Sequence, residues 1–166
     1  MMLVTRRYLL LTGFLISVFL IIYVLYTQYV LGLEPCPLCI LQRVAVIALG
    51  LSFLFMAQKP PQRRQSKFFA SLLLTIISSA GVGIAARHVW LQNLPPDKVP
   101  GCGPGLDFMM ANFPLSEALE MVFSGSGECA EISWSFAFLS MPAWALIWLI
   151  LLGSFGVWSI YQRRFN

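Results

Sequence analysis

The sequence predicts an all-α membrane protein, a bundle of four transmembrane helices with both termini in the cytoplasm. Three observations predict this fold. Of 166 residues, 58% are hydrophobic and only 11% are charged, whereas soluble domains carry about 25% charged residues. Four apolar stretches approach or exceed the ~20 residues that a bilayer core requires. Basic and acidic residues also separate onto opposite sides of these stretches. We therefore expect a single membrane domain over residues 1–166.

The four stretches cover residues 8–31, 40–57, 68–91 and 142–161. The first is longer than the apolar region of a signal peptide, about 7–15 residues, and no small-residue cleavage site follows it, so we expect a retained helix. Small residues in the third stretch favour close helix packing. Two outer loops are expected at residues 32–39 and 92–141.

The distribution of charge predicts the orientation. The net charge of +4 could suggest binding to nucleic acid, but the basic residues flank the apolar stretches in short clusters, which is typical of membrane topology. All seven acidic residues fall on the opposite side. The basic residues that mark the cytoplasmic side are Arg6, Arg7, Lys59, Arg63, Arg64, Lys67, Arg163 and Arg164.

The second outer loop contains a segment, residues 115–123, whose apolar residues recur near one helical face, with Ser116 as a candidate N-cap. This pattern predicts a short amphipathic helix on the membrane surface. An ordinary loop helix with a small core of its own is an equally good interpretation.

The four cysteines all fall at or beyond the outer face, in Cys36-Pro37-Leu38-Cys39 and in the second loop at Cys102 and Cys129. A zinc site is disfavoured, because the second pair lacks the short spacing of a zinc knuckle. Covalent haem is disfavoured because Ile40 stands where a C-x-x-C-H motif needs histidine. No metal is expected.

Two disulfide interpretations remain. Inert structural disulfides suit Cys102 and Cys129, but a bridge across so short a loop as Cys36 to Cys39 would constrain the unfolded chain little. Closely spaced cysteines at a helix N-terminus are typical of redox-active sites. The alternative is a relay, in which a mobile loop exchanges disulfides with a partner and passes electrons to the pair at the membrane. Four cysteines allow three pairings.

Electrons that reach a membrane surface need an acceptor, and a lipid-soluble quinone is the natural one. Arg43 lies one helical turn after Cys39, where its guanidinium could hold a quinone oxygen. A snorkelling arginine that only orients its helix is the alternative. His88 falls at the same membrane level and could donate or accept a proton, although a lone histidine at a helix end is more often only an interfacial residue.

The chain resembles the DsbB family of bacterial inner membranes over nearly its whole length. The resemblance is carried by EPCPLCILQR at residues 34–43, RHVWLQ at 87–92, GECAEISWSF at 127–136 and MPAW at 141–144. The order of four helices, with cysteines only in the outer loops, is specific as a whole.

The resemblance implies a quinone-dependent thiol oxidase. Cys102 would form a mixed disulfide with a periplasmic thioredoxin-fold oxidase of the DsbA type, and Cys129 would be its loop partner. Cys36 and Cys39 would form the pair at the membrane, with Cys39 nearer the quinone, either ubiquinone or menaquinone. Arg43 matches the family's quinone-site arginine. His88, Met141 and Trp144 fall at positions expected around the same pocket.

Two other functions stay open at this point. One is a structural or assembly membrane protein whose outer loop is stapled by inert disulfides. The other is a quinone reductase of the vitamin K epoxide reductase type, which uses similar thiol chemistry. The cysteine spacing and the whole-chain pattern favour the DsbB type.

Overall fold

The computed structural model describes residues 2–99, 114, 127–132 and 134–162. Four long helices make up most of it: α1 (Met2–Tyr29), α2 (Pro37–Gln58), α3 (Arg64–Gln92) and α4 (Met141–Tyr161). All four are long and apolar enough to cross a membrane. The predicted fold class, an all-α bundle of four transmembrane helices, is therefore confirmed.

Shorter elements lie between α3 and α4. A 3₁₀ turn covers Pro96–Lys98, one helical turn covers Gly127–Ala130, and strands β1 (Ser135–Phe136) and β2 (Leu139–Ser140) pair antiparallel. The hairpin turn places Ala137 and Phe138 at φ values of 51° and 65°, the left-handed region that two-residue hairpin turns require. The amphipathic helix predicted at residues 115–123 lies outside the described residues.

The helices pack in chain order, α1 along α2, α2 along α3 and α3 along α4, and contacts between α1 and α4 close the bundle. At one end, Arg6 donates a hydrogen bond of 2.7 Å to the carbonyl of Pro61. This bond ties the basic start of α1 to the basic connection between α2 and α3. The positive-inside rule places this end in the cytoplasm.

Small residues let the helices approach closely at the centre of the bundle. A Cβ atom at Gly81 would lie 2.9 Å from the Cβ of Ala45 and 2.9 Å from a methyl group of Leu149, so α3 touches both α2 and α4 there. Ser78 also donates a hydrogen bond of 2.8 Å to the carbonyl of Leu149. Helix association in lipid depends on such close packing and on interhelical hydrogen bonds.

Two glycines of α3 offer a matched test of this packing. We expect Gly81→Val to destabilise the bundle by roughly 1–3 kcal/mol, because overpacking forces neighbouring atoms apart. Gly83→Val should be neutral or slightly stabilising, since within the described part of the chain no atom beyond the local helix backbone lies within 4 Å of the added Cβ. Unfolding of the two variants in detergent mixtures measures the difference. Equal loss of stability in both would contradict the assigned packing.

Candidate functional site

The start of α2 positions the first two cysteines. Cys36 is the N-cap residue, with φ −66° and ψ 163°, and its sulfur accepts a hydrogen bond from the backbone N–H of Cys39 at 3.4 Å. Pro37 occupies the first helical turn, where the fixed φ of proline suits a helix start. Both sulfurs therefore lie at the positive end of a helix, which favours negative charge on sulfur.

The two sulfurs face different surroundings. They lie 3.2 Å apart as thiols, and Cys36 is buried while Cys39 is partly exposed. Cys36 packs with Leu38, Leu91 and Cys129 in a small apolar cluster at the outer end of the bundle. Cys39 packs against the edge of this cluster and also reaches a cavity between α1, α2 and α4.

His88 of α3 lies directly beside the cysteine pair. It is 2% exposed, with Nε2 3.7 Å from the sulfur of Cys36 and Nδ1 4.0 Å from the sulfur of Cys39. Its Nδ1 also lies 3.1 Å from Nε2 of Gln42. The histidine that the sequence placed only at the same membrane level is thus in hydrogen-bonding range of Cys36.

Cys129 reaches the same place from the second outer loop. It lies on the helical turn Gly127–Ala130 and is fully buried. Its sulfur, the sulfur of Cys36 and a ring nitrogen of His88 all lie within 4.8 Å of one another. Thiolate and imidazole are ligands that Zn²⁺ accepts, and the same arrangement permits exchange between two sulfurs. Cys102 lies outside the described residues.

Arg43 lies one turn below Cys39 and points toward α1. Its guanidinium donates a hydrogen bond to the side-chain oxygen of Gln28, and it lines the same cavity as Cys39. A guanidinium has five N–H donors, so the bond to Gln28 leaves capacity for a second acceptor.

The cavity beside Cys39 has a volume of about 410 Å³, within the range of about 300–1,000 Å³ typical of small-molecule pockets. Its walls are almost entirely apolar and aromatic. Gln42 and Arg43 contribute an amide and a guanidinium to the lining. The lining includes Met141 and Trp144, two of the three residues that the family resemblance placed around a pocket. The third, His88, is not among the described residues that line this cavity.

Trp134 and Phe136, at the start of the hairpin β1–β2, contribute aromatic rings to the lining of this cavity. Trp134 contacts Tyr23 of α1 edge-on, with ring centroids 6.1 Å apart, and stacks on Phe136 at 6.2 Å. Trp144 of α4 donates from Nε1 to the carbonyl of Phe136 at 3.1 Å. Ser140 donates to the side-chain oxygen of Gln92, which fastens the hairpin to the end of α3.

The structure brings most of the predicted site residues into one region. Within the described part of the chain, Cys36, Cys39, His88 and Cys129 form a sulfur–imidazole cluster, while Arg43, Met141 and Trp144 line the adjoining cavity. Sequence reasoning gave no role to Gln28 or Gln42. The sequence does indicate them, because each is an uncharged amide within an apolar span, where such a group needs a polar partner.

The fold and the cluster are those of a membrane-embedded thiol–disulfide oxidoreductase. The sequence profile described as "Disulfide bond formation protein DsbB" matches residues 6–159. Three relatives called disulfide bond formation protein B are similar. The protein of Nitrosococcus oceani is 49% identical over 93% of this chain and 90% of its own. That of Methylococcus capsulatus is 48% identical over 89% of both chains, and that of Acinetobacter baumannii 44% identical over 84% of this chain and 82% of its own.

The chain therefore belongs to the DsbB family. It is a multi-pass protein of the bacterial inner membrane with a role in disulfide bond formation. The predicted family and location are confirmed.

The position of Cys129 can be tested without any assay of activity. A Cys39→Ser, Cys102→Ser variant retains Cys36 and Cys129, and we expect it to form an internal disulfide quickly under mild oxidation because the sulfurs lie within 4.8 Å. A Cys36→Ser, Cys102→Ser variant, which retains Cys39 and Cys129, is the matched control and should form its bridge more slowly. Gel shifts after thiol labelling measure both rates. Equal rates would contradict the placement of Cys129 beside Cys36.

Proposed function

We propose that this protein oxidises the dithiol of a periplasmic thioredoxin-fold oxidase of the DsbA type and passes the electrons to a membrane quinone. One observation carries the proposal. The sulfur of Cys36 lies with Cys129 and His88, whereas Cys39 faces an apolar cavity beside Arg43. The pair thus connects a thiol-exchange side to a side suited to a lipid-soluble acceptor.

The cavity fits a quinone on three counts. Its apolar, aromatic walls suit a hydrophobic ring, and its volume of about 410 Å³ suits a ligand of that size. Arg43 offers N–H donors at the end nearest Cys39, where a quinone carbonyl oxygen would accept. The bound quinone, whether ubiquinone or menaquinone, would supply an acceptor for two electrons and two protons.

The first half of the relay moves electrons from the partner protein to the Cys36–Cys39 pair at the membrane. A thiolate of the partner attacks Cys102 in a Cys102–Cys129 disulfide, and the electron pair of the broken bond goes to Cys129. The Cys129 thiolate then attacks Cys36 in the Cys36–Cys39 disulfide, which its position beside Cys36 favours. The Cys36–Cys39 bond breaks and leaves its electron pair on Cys39.

Arg43 and the helix N-terminus stabilise that charge on Cys39. The guanidinium lies one turn away on the same helix face, and the N-terminus of α2 adds a positive partial charge. The cavity walls exclude water, which strengthens both interactions. Gln28 holds the guanidinium toward α1 and the cavity.

The second half of the relay restores the Cys102–Cys129 disulfide of the second outer loop. The second thiolate of the partner attacks the partner sulfur of its mixed disulfide and frees Cys102. Cys102 then attacks Cys129, the bond between Cys129 and Cys36 breaks, and its electron pair goes to Cys36. The loop disulfide is restored, and Cys36 and Cys39 hold the two electrons taken from the partner. Their reoxidation closes the cycle.

The family membership favours this function over a protein with inert loop disulfides, because relatives are called disulfide bond formation proteins. A partner of the DsbA type has a high reduction potential, about −120 mV. Withdrawing electrons from such a dithiol demands a strong terminal oxidant, and a membrane quinone meets that demand.

A reconstituted assay tests the proposal. Purified protein, reduced DsbA-type partner and a soluble quinone analogue are mixed without oxygen, and quinone absorbance is followed. We expect turnover in the unchanged protein and none with Cys39→Ser, since no dithiol can then form at the membrane. Quinone reduction at the normal rate by Cys39→Ser would refute the relay.

Arg43 provides a separate prediction about the quinone site. Arg43→Met should raise the KM for quinone by about tenfold or more, the usual effect of losing a hydrogen bond to a charged group. Arg64→Met, an exposed arginine at the cytoplasmic end of the bundle, is the matched control and should leave the KM unchanged. If Arg43→Met changed only partner oxidation and not the quinone KM, the acceptor would bind elsewhere.

A further inference from the structure

A buried amide contacts the histidine that lies beside the cysteines. Gln42 is 5% exposed and lies one turn into α2, and His88 is 2% exposed on α3. The side-chain nitrogen of Gln42 lies 3.1 Å from Nδ1 of His88. On the opposite edge of the ring, Nε2 lies 3.7 Å from the sulfur of Cys36. The imidazole therefore bridges an amide and a redox sulfur.

The direction of the hydrogen bonds follows from the atoms involved. The nitrogen of a glutamine side chain only donates, so Nδ1 of His88 must accept. A neutral imidazole carries its single proton on the other nitrogen in that case. The Nε2–H group then faces Cys36 and can donate a hydrogen bond to that sulfur, and the backbone of Cys129 is a further hydrogen-bond partner of the ring.

We propose that Gln42 is a positioning residue that holds neutral His88 in the Nε2-protonated tautomer, so that the ring donates a hydrogen bond to the sulfur of Cys36. The proposal of the tautomer stands on the contacts alone. Its catalytic consequence rests on the proposed function, because it concerns the relay step that releases Cys36 from Cys129.

In that step the Cys102–Cys129 bond forms, the Cys129–Cys36 bond breaks, and the electron pair stays on Cys36. A thiolate with a donor directed at it is a better leaving group, because the hydrogen bond stabilises the charge that develops in a site shielded from water. The opposite tautomer would direct a lone pair at the same sulfur and disfavour that charge.

The amide of Gln42 also gives the two sulfurs different hydrogen-bond partners. Nδ1 of His88 lies 4.0 Å from Cys39, but its lone pair is directed to the closer amide of Gln42 at 3.1 Å. Cys36 accepts the hydrogen bond from the ring, while Cys39 is free to interact with Arg43 and with the cavity. A carboxylate at position 42 would reverse the polarity, because it would accept from Nδ1–H.

The only histidine in the sequence is His88, which makes the tautomer directly measurable. Protein labelled with ¹⁵N-histidine and purified through a histidine-free affinity tag gives the two ring nitrogens of this residue alone. At a pH where the ring is neutral, we expect Nδ1 to resonate as an unprotonated nitrogen and Nε2 as a protonated one. A protonated Nδ1 in the unchanged protein would overturn the proposal.

Gln42→Glu keeps the size of the side chain and reverses its hydrogen bond, so Nδ1 should become protonated. Gln42→Met removes the hydrogen bond without adding charge, and both tautomers should then be populated. Gln58→Met is the matched control, the same substitution at an exposed position near the cytoplasmic end of α2. Ring signals unchanged by both Gln42 variants would show that the amide does not set the tautomer.

The effect on sulfur is measured in a variant whose single cysteine is Cys36, with Cys39, Cys102 and Cys129 replaced by serine. Alkylation by iodoacetamide near neutral pH should slow by about twofold with Gln42→Met, because only part of the population then carries the Nε2–H group that donates to the thiolate. Gln58→Met should leave the rate unchanged. An unchanged rate with Gln42→Met would overturn the role assigned to the ring. Neither experiment contains quinone or partner, so failure of the electron route would leave both readouts intact.

Discussion

The hydrogen bond from the backbone N–H of Cys39 to the sulfur of Cys36 marks the constraint on which the site depends. It fixes Cys36 as the cap and Cys39 within the first turn of α2. Side chains at the cap and in the first turn leave the helix in different directions. Cys36 and Cys39 both contact the cluster of Leu38, Leu91 and Cys129, but only Cys39 also lines the membrane cavity, although the two sulfurs are only 3.2 Å apart.

This arrangement requires that His88 of α3 lie at the same depth in the bundle as the cysteine pair. Small residues, which let α2 and α3 pack closely, set that position. Gly81 lies two turns before His88 on the same face of α3 and contacts Ala45 of α2. Gln42 lies three residues before Ala45, again on the same helix face. The close approach at the centre of the bundle thus sets the distance between the two helices where the imidazole meets the amide and Cys36.

Much of the fold could be predicted from the sequence, because a bilayer imposes a length and a composition on every helix that crosses it. Charge asymmetry gave the orientation for the same reason. The hairpin β1–β2 was not predicted. Its turn residues, Ala137 and Phe138, adopt positive φ values without the glycine or asparagine that usually marks such a turn. Aromatic contacts around Trp134 and Phe136 accompany this turn instead, and Trp134 also contacts Tyr23 of α1, which is distant in the chain.

The site was predictable in part for a different reason. Cysteine spacing and the position of Arg43 relative to Cys39 are local properties, so the sequence indicates them. The approach of His88 and Cys129 to Cys36 joins three separate segments of the chain, and spacing carries no information about it. Gln28 and Gln42 were visible as amides in apolar spans, but their partners, Arg43 and His88, depend on how the helices pack.

Gln28 and Gln42 are placed by the same physical requirement. An amide in a membrane span has to find a hydrogen-bond partner, because lipid offers none. Gln28 meets that need with a guanidinium beside Cys39, and Gln42 meets it with an imidazole beside Cys36. Each amide thereby contacts one charged or titratable group near the cysteine pair. Two chemically identical thiols consequently acquire different neighbours, and the relay proposed above needs that difference to pass electrons in one direction.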